Sequence, residues 1–228
     1  MMKKKKFIKF INIDQKLYKI LKNLKTKDLN QNTLYIKSLD KFVKRCRKIL
    51  DGKNEIKAII ILLYPKNEEF TKLSAQTVKR LTEIMSGYAG DILIQNSSKD
   101  KVIEVFDRNR KFSINRGSRY HQTREGGSIH TDNVNIPSYW DYLMFSCLSS
   151  AKAGGETILV DSKEIHSELS KNFKTAKKIL EKKFYWEKRG LSDELYQAPI
   201  ITYDKMKLPN FKYLRPYLEA AHIKAKKY

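Results

Sequence analysis

The sequence predicts an α+β fold, and three observations carry that expectation. Apolar side chains recur at helical spacing in the N-terminal part of the chain. From about residue 91 the texture changes to short segments rich in β-branched and aromatic residues, separated by Gly, Asn and Pro. A chain of 228 residues that is 41% hydrophobic and 11% aromatic can also fill one substantial core.

The elements follow in order. Residues 14–24, DQKLYKILKNL, carry apolar side chains at 17, 20, 21 and 24, the spacing of one helical face, and Leu39 to Leu50 repeats the pattern. AIIILLYP, from Ala58 to Pro65, is the longest apolar run; it has the length of a buried strand over 57–64 and is far too short for a membrane span. A third helix follows, with Ser74 as its N-cap and Gly87 near its end. Strands are expected at 91–95, 101–106, 112–115, 140–148, 157–161, 183–187 and 198–203, arranged as antiparallel β-structure. No linker separates these parts, so residues 1–228 read as a single domain, with an N-terminal helical region over 1–55 and a β core over 56–228.

Composition narrows the function classes. The N-terminus is basic but lacks a sustained apolar segment and a small-residue cleavage site, so a cytoplasmic location is expected and a membrane partner is not. Cys46 and Cys147 stand far apart, which excludes a disulfide framework or a zinc site built on thiolates. The formal charge of +22 would suit a binder of nucleic acid. Its lysines are spread through nearly every segment, however, and the runs at 3–6, 41–48 and 171–183 are not interleaved with aromatics in a recognisable nucleic-acid-binding motif. The charge therefore reads as a solvated basic surface, and nucleic acid is not an expected partner.

The stretch SIHTDNVNIP places His130 and Asp132 two positions apart. In an extended backbone such residues project to the same side, about 7 Å apart along the chain, and can converge on one ion. An imidazole nitrogen and a carboxylate oxygen form two legs of the two-His, one-carboxylate arrangement that holds ferrous iron with open positions. Taken alone, the pair is weak evidence for a metal and reads first as a hydrogen-bonded polar turn. Downstream, WDYLMFSCLSSAKAGGETILVD supplies an apolar segment with a Cys, a turn at Gly154 and Gly155 that needs glycine backbone freedom, and Thr157, which lies 27 positions after His130.

The order HTD, Pro137, an apolar strand with a Cys, GGET and ILVD resembles the iron(II)- and 2-oxoglutarate-dependent dioxygenases of the taurine dioxygenase and clavaminate synthase-like superfamily. The resemblance implies a double-stranded β-helix, or jelly-roll, core with flanking helices. It implies Fe(II) and 2-oxoglutarate as cofactors, molecular oxygen as co-reactant, and a small molecule such as an amino acid or carboxylic acid derivative as substrate. By the same resemblance His130 and Asp132 are iron ligands, and Thr157 gives its hydroxyl to a carboxylate of 2-oxoglutarate. RYHQTREGG, leading into the motif, would line the cavity mouth, which makes His121, Gln122 and Arg124 candidates for substrate contact.

The sequence also departs from the family pattern. A second His ligand and an Arg for the far carboxylate of 2-oxoglutarate are expected well beyond the His-x-Asp, yet the sequence ends at Tyr228, 96 positions after Asp132. His222, in FKYLRPYLEAAHIKAKKY, resembles a helix residue upstream of the distal-ligand strand rather than the ligand itself. The β-helix is therefore expected to lack its C-terminal strands. Two readings stay open at this point: a working oxygenase, completed by an unusual ligand set or by a second chain that supplies the missing strands, and a truncated relative that no longer performs catalysis.

Overall fold

The computed structural model of the chain describes residues 7–23, 36–52, 56–63, 74–106 and 127–226. Two compact units divide them: one runs up to Ile94 and takes in Met144–Ser150, and the other comprises Gln95–Leu143 and the chain from Ala151 onward.

The first unit opens with strand β1 (Ile8–Asn12), inside the region over 1–55 that was expected to be helical, and β1 pairs in parallel with β2 (Ala58–Leu62). Between them in sequence lie helices α1 (Gln15–Asn23) and α2 (Lys37–Leu50). Asp14 caps α1, its carboxylate accepting the Leu17 N–H at 2.7 Å. Of the expected stripe on α1, Leu17 and Leu21 are buried, Ile20 is half-buried and Leu24 lies outside the described residues, while Tyr18 joins the buried face; on α2 the buried side chains include Leu39, Val43 and Cys46. Helix α3 (Ala75–Ala89) begins at Ser74, whose hydroxyl accepts the Thr77 N–H at 3.1 Å, and it brings Leu81 and Met85 into the same cluster. β2 is less buried than its sequence predicts: Ile60 is 40% exposed. The other described β2 side chains are half-buried, and Ile61 packs against the cluster formed by the helices.

The second unit supplies the remaining elements: α4 (Ser162–Asn172), α5 (Lys174–Leu180), β3 (Lys183–Glu187), β4 (Leu195–Pro199), β5 (Ile201–Tyr203), β6 (Pro209–Phe211) and α6 (Arg215–Ala225). β3 pairs with β4, and β5 with β6, both antiparallel. The strand expected over 183–187 is present with those bounds, and the one expected over 198–203 is split between β4 and β5 by a bend at Ile200. Trp186, Val134, Ile200, Ile201, Leu214 and Tyr217 form its core.

Segments 91–95, 101–106, 140–148 and 157–161 carry no strand ladder among the described residues, and 112–115 lies outside them. β-branched composition marks where a strand can form, but a ladder also requires a partner at the right register. The end of ILVD has a different role from the one its pattern suggested. The Asp161 carboxylate accepts the Lys163 N–H at 2.9 Å and starts α4, a helix the sequence reading had missed. No helix among the described residues is long and apolar enough to cross a membrane.

Candidate functional site

His130 and Asp132 lie in an irregular stretch of the second unit, between Gly127 and the turn at 133–136, rather than in a strand. The structure nevertheless brings the pair together: His130 Nε2 stands 3.5 Å from Asp132 Oδ1. Two donors at right angles, each about 2.1 Å from a divalent ion, are about 3 Å apart, so a small adjustment would place a metal between them.

The local backbone sets this geometry. His130 Nδ1 lies 2.6 Å from the Ser128 carbonyl oxygen. A carbonyl can only accept, so Nδ1 carries the proton and donates it, and Nε2 is the nitrogen turned to Asp132. In the neutral imidazole Nε2 then presents a lone pair to a carboxylate, an arrangement that calls for a proton or a cation between the two. The same demand raises the His130 pKa above its ordinary value: the hydrogen bond to Asp132 is the main cause and the Ser128 carbonyl adds to it, while partial burial works the other way. Fixing one ring nitrogen on a backbone carbonyl so that the other can ligate is the arrangement metal-binding histidines use.

Beyond Asp132 the chain turns sharply. Asn133 takes the left-handed conformation at φ 52, which Asn tolerates better than most residues, and the Ile136 N–H closes the turn on the Asn133 carbonyl at 3.2 Å. Trp140 Nε1–H reaches back to the Asp132 carbonyl at 3.3 Å. A cavity of about 160 Å³ opens beside Asp132, with Asn133, Ser138, Trp140, Asn210 and Lys212 among its walls. At about 30 Å³ per water it has room for roughly five waters or one small molecule.

Lys212 is only 3% exposed. Burial lowers its pKa to about 8. Its ammonium donates to the carbonyls of Ile136 at 2.5 Å and Pro137 at 2.9 Å and to the Tyr196 hydroxyl at 3.1 Å.

The other expected site residues are placed differently. Thr157 lies in the exposed stretch 151–160 and is not among the residues lining the cavity. Gly154 and Gly155, at φ 77 and 82, use the backbone freedom that glycine alone offers readily. His222 stands on α6, as the sequence suggested. Its Nε2 accepts the Tyr185 N–H at 3.3 Å, and its ring packs near those of Phe184 and Tyr185. Among the described residues no third His, Cys, Asp or Glu joins the pair to make a metal cluster. His121, Gln122 and Arg124 lie outside the described residues.

Sequence reasoning missed Lys212 and the role of Gly127. A Cβ added at Gly127 would stand 2.7 Å from His130 Cε1 and 3.1 Å from Nδ1, so the glycine is the space the imidazole occupies. The GG preceding the motif was the available signal. Gly127→Ala is expected to push the ring off Ser128 and weaken divalent-metal binding roughly tenfold, in the range seen when a ligand loses its outer support. Calorimetric titration with Mn(II) under identical conditions for both proteins checks this.

No curated protein and no solved structure matches the chain. Residues 69–221, more than half of it, match the family model described as Taurine catabolism dioxygenase TauD, TfdA family, and that span takes in the His130 and Asp132 pair, the cavity beside it and Lys212. On that match the chain belongs to the TauD/TfdA dioxygenase family.

Proposed function

We propose that this chain is an Fe(II)- and 2-oxoglutarate-dependent oxygenase that hydroxylates a small carboxylate or amino-acid-type substrate on a jelly-roll core. One observation carries the reading: His130 Nε2 and Asp132 Oδ1 face each other at 3.5 Å, with the other ring nitrogen, Nδ1, turned to the Ser128 carbonyl at 2.6 Å. Family membership supports the same chemistry, and the antiparallel β3–β4 and β5–β6 pairs suit a jelly roll.

When bound, iron with 2-oxoglutarate and O2 supplies the oxidising chemistry, converting a substrate C–H to C–OH while 2-oxoglutarate leaves as succinate and CO2. The chain's own residues bind and orient. His130 contributes a neutral nitrogen and Asp132 an anionic oxygen, a donor set suited to Fe(II). We assign Thr157 to a carboxylate of 2-oxoglutarate, to which its hydroxyl can donate without adding charge beside the iron. The cavity beside Asp132 is the place for a substrate next to the metal. Asn133, Ser138 and Asn210 in its walls can hydrogen-bond a polar group, and the Lys212 charge favours an anionic one. We assign His121, Gln122 and Arg124 to substrate contact.

A binding-only relative is the second reading, favoured by the absence of a third ligating side chain near the pair among the described residues. Incubation of the purified chain with Fe(II), ascorbate and 2-oxoglutarate separates the two, because uncoupled turnover releases succinate without a known substrate. Succinate release that disappears in Asp132→Ala supports the oxygenase. Iron binding without succinate release supports the binding-only relative, and absence of both overturns the metal-site reading. Thr157→Ala is expected to weaken 2-oxoglutarate binding by about 1.5–3 kcal/mol, the size of a hydrogen bond to a charged group, while sparing iron. Equal loss of iron in that variant would mean that the residue has been misassigned.

A further inference from the structure

His130 and Asp132 lie in a stretch with no strand ladder, so beside the local contacts of the His130 ring there is room for a hold on the backbone from outside the stretch. The residue between them shows how. Thr131 donates its N–H to the Tyr213 carbonyl at 2.7 Å, and its Oγ1 accepts the Tyr213 N–H at 2.9 Å. Two bonds to one residue form a bracket that suppresses rotation of the backbone at Thr131. Where residues i and i+2 project to one side, residue i+1 faces the other. The bracket can therefore set both ligand side chains without occupying either one's donor atoms.

The neighbouring residue extends the hold. Lys212 pins Ile136 and Pro137 through its ammonium, and its own N–H is anchored on the Ile200 carbonyl at 2.8 Å. The Tyr196 hydroxyl, the third acceptor of that ammonium, donates to the Val134 carbonyl. The ammonium also lies 5.2 Å from the ring centroids of both Tyr139 and Tyr196. A lysine this deeply buried is costly unless its donors are satisfied, and here three acceptors meet three protons. From Thr131 to Pro137 the segment that carries Asp132 is thus held by residues 62 to 82 positions later in the chain.

We propose that Thr131 and Lys212 are positioning residues for the metal pair, and that the strap formed by Lys212 and Tyr213 holds His130 and Asp132 in their ligating arrangement. The proposal rests on the oxygenase reading for its purpose, but one of its readouts needs no metal. The experiment uses the full chain as wild type, Thr131→Val, Thr131→Ser and Lys212→Met. Nitrogen NMR of the His130 ring is recorded without metal, Fe(II) affinity is measured anaerobically, and thermal melting monitors folding.

Wild type is expected to show a single tautomer protonated on Nδ1. Thr131→Val, which keeps the shape and loses the acceptor, and Lys212→Met should both give a mixture of tautomers and raise the Fe(II) Kd by about tenfold or more. Thr131→Ser, which restores the hydroxyl, should behave as wild type. A Val variant and a Lys212→Met variant that keep both the wild-type tautomer and the wild-type Kd overturn the proposal. If Lys212→Met fails to fold, the Val and Ser pair decides, because a purely structural role gives no reason for a hydroxyl to restore the ring signature. A wild-type chain that binds no Fe(II) overturns the oxygenase reading, while the ring spectra still decide whether the strap positions the pair.

Discussion

Replacing His130 or Asp132 with alanine is expected to raise the Fe(II) Kd by roughly 100-fold or more, since loss of a mere outer-shell partner already costs 10- to 100-fold. The two substitutions fail for different reasons. His130→Ala leaves a lone carboxylate, which divalent ions bind weakly and without preference for iron. Asp132→Ala leaves a neutral imidazole with no negative charge to offset the cation, and it also removes the main cause of the raised His130 pKa, returning the ring toward its ordinary value. Neither should unfold the chain. The side chains are 28% and 42% exposed and belong to neither hydrophobic cluster, so melting temperatures should stay close to wild type. Anaerobic calorimetry with Fe(II), paired with melting curves, tests both halves of the prediction. Wild-type iron affinity in both variants would show that the pair is a polar turn.

The His-x-Asp pair was legible in the sequence because it is local: two donor side chains two residues apart can be read directly, and an extended backbone would set them on one side. The reason they converge was not legible. It was expected from strand geometry, whereas the structure shows a bend, a left-handed Asn133 and a bracket from Tyr213, and contacts across such separations leave no periodic trace in the sequence. The same contrast holds for the fold. Stripes at Leu17 and Leu21, or at Leu39 and Val43, are read directly because helical periodicity is a local property. β1 escaped notice because IKFIN sits among lysines and its pairing with Ile59 and Ile61 is set by residues some fifty positions away. Lys212 was invisible for the opposite reason. One lysine among so many in the sequence carries no mark, and only its burial against two carbonyls distinguishes it.

Trp186→Ala is expected to remove about 3–5 kcal/mol from the stability of the second unit, the usual cost of deleting a large buried aromatic. The side chain is fully buried and central to the cluster that includes Val134, Ile201 and Leu214, and its Nε1–H donates to the Ala198 carbonyl at 3.0 Å. The substitution therefore opens a cavity and also strips a donor from the neighbouring strand of the β3–β4 pair. Against a typical domain stability of 5–15 kcal/mol this is a large fraction. Trp186→Phe, which keeps most of the ring volume and loses the N–H, should cost less, by comparison with the same wild type in urea. The effect should also reach the metal pair. Val134, two residues after Asp132, is 1% exposed in this same cluster, so the segment bearing Asp132 is seated on the core that Trp186 fills. Folding and iron binding are then linked: Fe(II) at about 100 times its Kd would return about 2.7 kcal/mol to a chain that binds it only when folded. Iron should accordingly raise the melting temperature of Trp186→Ala and leave that of the Trp186→Ala, His130→Ala double variant unchanged. Equal recovery in both would place the bound iron elsewhere, and a loss of less than about 1 kcal/mol in the single variant would show that this cluster is not the core of the unit.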